Sequence, residues 1–439
     1  MIAAKICIVS QYFPPIVIGG GEYAALMTAK GLAKHGNNVY VLTMHPHRSG
    51  HPSLSSEVPI YEVKENIAIR RILGVKILKI GPIDLTAFCL HELFFIYTFL
   101  VLLRFIRTEK PDVIHALNID SIPPSVVAAK ICRIPVVATV NSNAITCPKG
   151  DRLNTKEKIC IKKCCFSSAK DCLVNKWESR PWRMLLFFEA FLWWLILTTF
   201  IKHVDKVIAV SNYILYTLLR NGVKPQKIVV IPEMMDSTIL RLNKDKSIAR
   251  KNLGLSDRGK VVLFGGFAFD FRKGSNVLLK AIPVVLKRMP HVKFIITGNV
   301  PSEEMRTINS SDFKQKIFLT GPIPRSKMLD VYAAADIVVF PSVLPEPFGL
   351  VLVEALYMKR PVIASKVGGI KDVIKDKQNG ILINPNDPYA LAAAIVQLLN
   401  NKKLIERLGD AGRETVEKKF CENAIIPKII KVYQGLVKE

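Results

Sequence analysis

Apolar residues in this chain follow two alternating patterns. Short unbroken runs are separated by longer stretches in which apolar residues recur every three or four positions. Residues 5–10 (Lys-Ile-Cys-Ile-Val-Ser) are a run of the first kind. Residues 22–34, with Ala25, Leu26, Ala29, Leu32 and Ala33 in register, are a stretch of the second. A 3.6-residue period predicts helix, and short apolar runs bounded by turn residues predict buried strands. Strands are therefore expected at 5–10, 39–43, 112–115 and 135–140, with His35-Gly36-Asn37-Asn38 ending the first helix. The second half alternates more cleanly. It predicts strands at 261–265, 292–297, 317–320, 337–340, 361–364 and 380–383, and helices at 274–288, 326–335, 349–358 and 388–400. Repeated strand–helix–strand units with apolar strands make an α/β protein whose parallel sheets are covered on both faces.

A chain of 439 residues exceeds one core and predicts more than one domain. The boundary falls near Ile231-Pro232-Glu233, followed by a Lys-rich helix at about 244–253. The expected division is 1–232, 233–420 and a final segment 421–439, whose amphipathic helix (424–437) packs back across the first domain. Open α/β sheets bind ligands beyond the carboxyl ends of their strands, so two such domains facing each other predict a cleft there.

Half of the residues are hydrophobic and 22% are charged, which excludes disorder. The formal net charge of +26 calls for a negatively charged partner, either a phosphorylated small molecule or an anionic membrane surface. Nucleic acid is not expected, because Lys and Arg are scattered and no basic arm or RNA-binding aromatic signature occurs. Residues 5–10 are too short for a signal core and run into a Pro-rich turn, so a cytoplasmic location is expected, including the cytoplasmic membrane face.

Two stretches, 93–103 and 184–201, are unusually apolar. The second reads as a core helix of the first domain, or as an interfacial helix anchored by Trp193 and Trp194. Glu189 inside it and Arg183 at its edge argue against a membrane span. Five of the nine cysteines (Cys147, Cys160, Cys164, Cys165 and Cys172) cluster in or near a Lys-rich insertion at about 142–180. Their spacing is looser than the Cys-x2-Cys pairs of zinc sites, which favours plain thiols over a structural metal or a disulfide. Cys7, Cys89, Cys132 and Cys421 sit in apolar patterns and are expected to be buried.

The most informative stretch runs from Phe340 to Glu354. Two carboxylates, Glu346 and Glu354, lie eight positions apart, and Pro347-Phe348-Gly349 between them opens an apolar helix. This places an anion site at a helix start with an acid on each side, an arrangement suited to a sugar joined to a nucleoside diphosphate.

Together with Gly19-Gly20-Gly21-Glu22, residues 204–211, Arg272-Lys273-Gly274, Val367-Gly368-Gly369 and Asn379-Gly380-Ile381-Leu382, this stretch resembles the retaining GT-B glycosyltransferases of family 4 (glycosyl transferases group 1). The resemblance covers most of the chain and implies two facing doubly wound Rossmann-like domains. The second would bind a nucleotide sugar, and the first a glycolipid or glycan acceptor.

The expected roles follow from that likeness. Gly19 and Gly20 would let backbone amides approach a phosphate. Lys273 and Arg272 would stabilise charge on the leaving diphosphate. Glu346 would face the sugar ring. The N–H groups of Phe348, Gly349 and Leu350 would hold the diphosphate, and Glu354 would hold the ribose. No Asp-x-Asp pair occurs, so transfer without a metal or other cofactor is expected. Asn141 stands where the family often has His, Phe267 where many members have Arg, and Glu233-Met234 where Asn-Gly is usual. Asn141 can bond a sugar hydroxyl but cannot shuttle a proton. Two alternatives remain open: a nucleotide-sugar epimerase of the same fold, and a non-catalytic nucleotide-sugar or glycan-binding protein.

Overall fold

The computed structural model describes residues 4–437 apart from 16, 18, 45–60, 73–78, 81–82, 85, 146, 148–182, 236–244, 257–258, 266–268 and 270. Phe267 and the insertion cysteines Cys160, Cys164, Cys165 and Cys172 lie outside the described residues. The chain divides into two compact units, Met1–Met234 with Glu422–Glu439, and Met235–Cys421.

The first unit is built on an eight-stranded sheet. Its order is Ile228–Val230, Lys206–Ala209, Val136–Val140, Val113–Ala116, Lys5–Val9, Asn38–Met44, Ile67–Ile72, Tyr61–Lys64. All neighbours are parallel except the last pair, a hairpin turned through Glu65 and Asn66, both at positive φ. The strand order reverses between Lys5–Val9 and Val113–Ala116. Helix Gly20–Lys34 covers one face with Ala25, Met27, Ala29 and Leu32. Helix Glu422–Gln434 joins the same core through Ile425, Ile426, Ile429 and Tyr433. Gly31 permits this approach, since a Cβ there would lie 2.5 Å from Ile426. Lys34 and Glu422 add an ion pair of 2.8 Å.

The second unit contains six parallel strands in the order Ile317–Gly321, Lys293–Thr297, Val261–Phe264, Ile337–Phe340, Val362–Ser365, Ile381–Ile383. Counted along the chain this is 3-2-1-4-5-6, the doubly wound dinucleotide-binding order, whose switch point lies between strands 1 and 4. Val261–Phe264, Ile337–Phe340 and Val362–Ser365 are buried throughout, as strands covered on both faces must be. Helices Ser275–Arg288 and Pro388–Leu399 pack on this sheet through Leu278, Ile282, Leu391 and Ile395. Arg250, on the short helix Lys246–Asn252, is buried and pairs with Asp336 at 3.0 Å, fixing that helix beside the start of strand Ile337–Phe340.

Candidate functional site

At the switch point of the second sheet, the loops after Phe264 and Phe340 are clamped together. Val343 N donates to the Arg272 carbonyl at 2.9 Å and Leu344 N to the same oxygen at 3.2 Å. Gly274 sits at φ +88°, and a Cβ there would fall 2.0 Å from the Pro341 carbonyl oxygen. Only glycine allows the two main chains to come so close. Gly368 does the same from a third loop: at φ +51°, its Cβ would lie 2.3 Å from Glu346 O. The neighbouring Gly369 N donates to that Glu346 carbonyl at 2.7 Å. Three motifs that are far apart in sequence are thereby locked around Glu346.

The side chains meet in the same place. Lys273 Nζ lies 2.6 Å from Glu346 Oε1, and Ser342 Oγ lies 3.0 Å from the same oxygen. Glu346 is 8% exposed, so the cation and the hydroxyl compensate a carboxylate largely removed from water. Lys273 Nζ also stands 5.7 Å from the centre of the Phe340 ring. Arg272 precedes Lys273 in the turn Phe271–Lys273, and its side chain is exposed.

Gly349, at φ +107°, caps helix Leu350–Tyr357, which begins one residue later than the sequence pattern predicts. Leu352 N donates to the cap carbonyl Gly349 O at 3.0 Å, and the first turn carries the positive end of the helix dipole. The Phe348 ring is buried against Phe420, with centroids 5.5 Å apart, which leaves its main chain as the part that can meet a ligand. Glu354 lies on the fifth residue of that helix, and its Oε2 accepts from Tyr332 OH at 2.9 Å. The structure therefore brings Arg272, Lys273, Glu346, Phe348, Gly349 and Leu350 to one switch point, with Glu354, also buried, one turn further along the helix.

In the first unit the geometry differs from the sequence expectation. The helix starts at Gly20, two residues earlier than predicted, and Gly19 is its cap. The Gly19 amide donates to Glu22 Oε2 at 2.8 Å, so the acid three residues on already satisfies the group expected to meet a phosphate.

Gly21 packs near Asn141; a Cβ at Gly21 would lie 3.2 Å from Asn141 Nδ2. Asn141 Nδ2 in turn donates to Glu233 Oε1 at 3.3 Å. Burial pushes the Glu233 carboxyl up to about 7, the Glu22 charge adds to the rise, and the Asn141 hydrogen bond opposes it. Beneath lies a buried relay that no sequence pattern announces: Tyr433 OH lies 2.6 Å from His115 Nδ1, and His115 Nε2 2.8 Å from Thr139 Oγ1. Burial lowers His115 to about 3 and keeps it neutral. Thr139, Asn141, Glu233, Ile425 and Ile429 line one small pocket of this unit.

The tryptophans expected as membrane anchors are not at the surface. Trp193 and Trp194 are 6% and 7% exposed, and Trp193 Nε1 donates to Asp120 Oδ1 at 2.9 Å. No helix among the described residues is long and apolar enough to cross a membrane. Of the cysteines expected to be buried, Cys7 is, Cys132 and Cys421 are half-buried beside helix ends, and the Cys89 side chain lies outside the described residues; Cys147 is half-buried. The described residues contain no cluster of His, Cys, Asp and Glu able to hold a metal.

Comparison with known proteins agrees with this architecture. The family model described as Glycosyltransferase Family 4 matches residues 18–238, and that of Glycosyl transferases group 1 matches residues 258–401. An uncharacterised glycosyltransferase of Methanocaldococcus jannaschii is 25% identical over 438 residues, 98% of each chain. The phosphatidyl-myo-inositol mannosyltransferase of Mycobacterium leprae is 34% identical over 188 residues, 43% of this chain and 50% of that protein. Among solved structures, sucrose-phosphate synthase from Thermosynechococcus elongatus superposes with a TM-score of 0.72 at 21% identity, covering 98% of both chains. Anabaena HepE, in complex with UDP and glucose, gives 0.69 at 19% identity, covering 99% of this chain and 100% of that one. The Family 4 match alone spans just over half of the 439 residues, and the chain belongs to the family 4 glycosyltransferases, with the GT-B fold.

Proposed function

We propose that the chain is a retaining, metal-independent hexosyltransferase that moves a hexose from a nucleoside diphosphate sugar to a hydroxyl of a glycolipid or glycan at a membrane surface. The observation that carries this reading is the Lys273–Glu346 pair, 2.6 Å apart at the switch point of a 3-2-1-4-5-6 sheet. As the bond between anomeric carbon and diphosphate breaks, negative charge grows on the leaving oxygen. Lys273, with Arg272 beside it, supplies fixed positive charge for it. The first-turn amides of the helix from Leu350 add dipole without a proton to lose. Glu346 takes the sugar hydroxyls and balances positive charge on the ring. Glu354 takes the ribose. The lysine and arginine charges plus a helix terminus take the part that a divalent cation plays in other transferases.

The first unit holds the acceptor, with Asn141 bonding one of its hydroxyls. Relatives named for inositol-containing acceptors support an acceptor rich in hydroxyls, and the Anabaena structure with UDP and glucose supports a nucleotide-hexose donor.

A thermal-shift panel of nucleotide sugars tests the reading. One donor raises the melting temperature of the wild type and fails to raise that of Glu346→Ala. If no nucleotide sugar shifts the wild type, or if all shift both proteins equally, the donor site is misassigned.

A further inference from the structure

Twelve large apolar side chains among the described residues are strongly exposed, and six of them lie on two helices of the first unit. Helix Thr86–Glu109 exposes Ile96 (52%), Tyr97 (42%) and Leu100 (55%). Helix Arg183–Phe200 exposes Phe188 (51%), Leu192 (54%) and Leu195 (41%). The helices touch, with the Phe95 and Phe200 rings 6.4 Å apart. Scattered exposed leucines need no explanation, but a concentration on adjoining helices does.

We infer that these two helix faces form a docking surface for an anionic lipid bilayer. Each exposed stripe follows helical spacing and turns from apolar to basic toward its C-terminal end. On the first helix Ile96 and Leu100 are continued by exposed Arg104 and Arg107. On the second, Phe188, Leu192 and Leu195 are continued by exposed Thr199 and Lys202, with exposed His203 next to it.

The opposite faces are occupied by the unit's own core, through Leu102, Phe105, Ile106, Trp193, Trp194 and Leu197. With those faces taken up by the unit's own core, the apolar stripe lies along the interface while the bases meet lipid phosphates. Charge selects this occupant over a second copy of the chain, because each copy carries +26 and would repel its twin. The surface is remote in chemistry from the donor site and does not depend on its assignment.

Sedimentation of the full chain with vesicles tests it. Wild type is expected to sediment with phosphatidylcholine–phosphatidylglycerol vesicles, and far less with phosphatidylcholine alone. The double change Leu100→Gln/Leu192→Gln, at exposed positions, weakens binding by about tenfold or more. Arg104→Glu/Arg107→Glu weakens it comparably, and added salt reproduces that loss. Melting temperatures of both variants stay at the wild-type value, as do their responses to nucleotide sugars. The inference is overturned if wild type ignores anionic vesicles, or if the Gln variant binds them unchanged. A concentration-dependent dimer abolished by the Gln variant also overturns it and makes the face a self-interface.

Discussion

Asn141 and Glu233 are 92 positions apart in sequence and 3.3 Å apart in space, amide donating to carboxylate. The family resemblance led to the expectation of a different residue at each position, and in the folded chain the two are partners. An imidazole at 141 and an amide at 233 would make a different pair. Here an amide steadies a carboxyl that burial makes hard to ionise.

That burial sets a pH dependence. The Glu233 carboxyl is raised from 4.5 to about 7 in the folded chain. Below pH 4.5 both folded and unfolded chains hold the proton, and the group contributes nothing. Between 4.5 and about 7 the unfolded chain loses its proton first, so stability falls as pH rises, and above 7 the penalty is constant. Glu233→Gln keeps an acceptor for Asn141 and removes the penalty. It is expected to be more stable than wild type above pH 7, by up to about 3 kcal/mol at ~1.4 kcal/mol per pH unit. The gain disappears toward pH 4.5. Urea unfolding of both proteins at several pH values measures it; a constant difference at every pH would show that Glu233 does not titrate in this range.

Lys273 and Glu346 are expected to be coupled in turnover. Removing one positioned charge from a leaving-group site costs roughly 10²–10³-fold in rate, so Lys273→Ala should lose about that much nucleotide release from the donor. Glu346→Gln should lose a comparable factor while keeping its contact with Ser342. Because the two side chains touch, the double variant should lose much less than the product of the single losses. Fully additive losses would mean that the two act separately.

Gly274 tests the loop clamp. A methyl group there meets the Pro341 carbonyl at 2.0 Å, on a backbone at φ +88° that a side chain rarely adopts. Gly274→Ala is expected to lose about 2–4 kcal/mol of stability and to lose donor response together with it. Gly254 is also at positive φ, but a methyl group there would meet nothing within 4 Å. Gly254→Ala should therefore cost about 1 kcal/mol. Equal melting temperatures for the two alanine variants would refute the clamp.

The second sheet was legible in sequence because its central strands are buried on both faces and therefore appear as unbroken apolar runs. Every predicted strand there lies within two residues of its observed bounds. The hairpin Tyr61–Lys64/Ile67–Ile72 was not legible. Its strands carry Glu62, Lys64, Arg70 and Arg71, and its turn uses Glu65 and Asn66 at positive φ where glycine would have signalled it. Helix Ile122–Cys132 was hidden by Pro123 and Pro124, which read as breakers although the first turn tolerates them. Helix Arg183–Phe200 carries apolar residues on most sides, so its sequence could not say which way Trp193 faces; its bond to Asp120 decides that. The Lys273–Glu346 site was legible as a set of motifs, but the Asn141–Glu233 pair and the His115 relay depend on contacts spanning 92 and 318 positions. No local pattern encodes such contacts.

The relay yields an opposite acid response. His115 is lowered from 6.5 to about 3 because burial disfavours the charged ring, and its two nitrogens are engaged by Tyr433 and Thr139. Above pH 6.5 both folded and unfolded chains hold a neutral imidazole. As pH falls below 6.5 the unfolded chain takes up a proton that the folded chain refuses, so stability drops, by roughly 2 kcal/mol at pH 5. Glu233 works in the other direction over part of the same range, so wild type should show a shallow acid limb that the single variants separate. His115→Gln is expected to gain stability as pH falls from 6.5 to 4.5, because only the Glu233 response remains, and Glu233→Gln to lose it over the same range. Tyr433→Phe leaves a buried ring nitrogen without its partner and should lower stability by about 1–3 kcal/mol at every pH above 6.5. A Tyr433→Phe protein as stable as wild type would mean that the Tyr433–His115 bond does not help hold helix Glu422–Gln434 to the first unit.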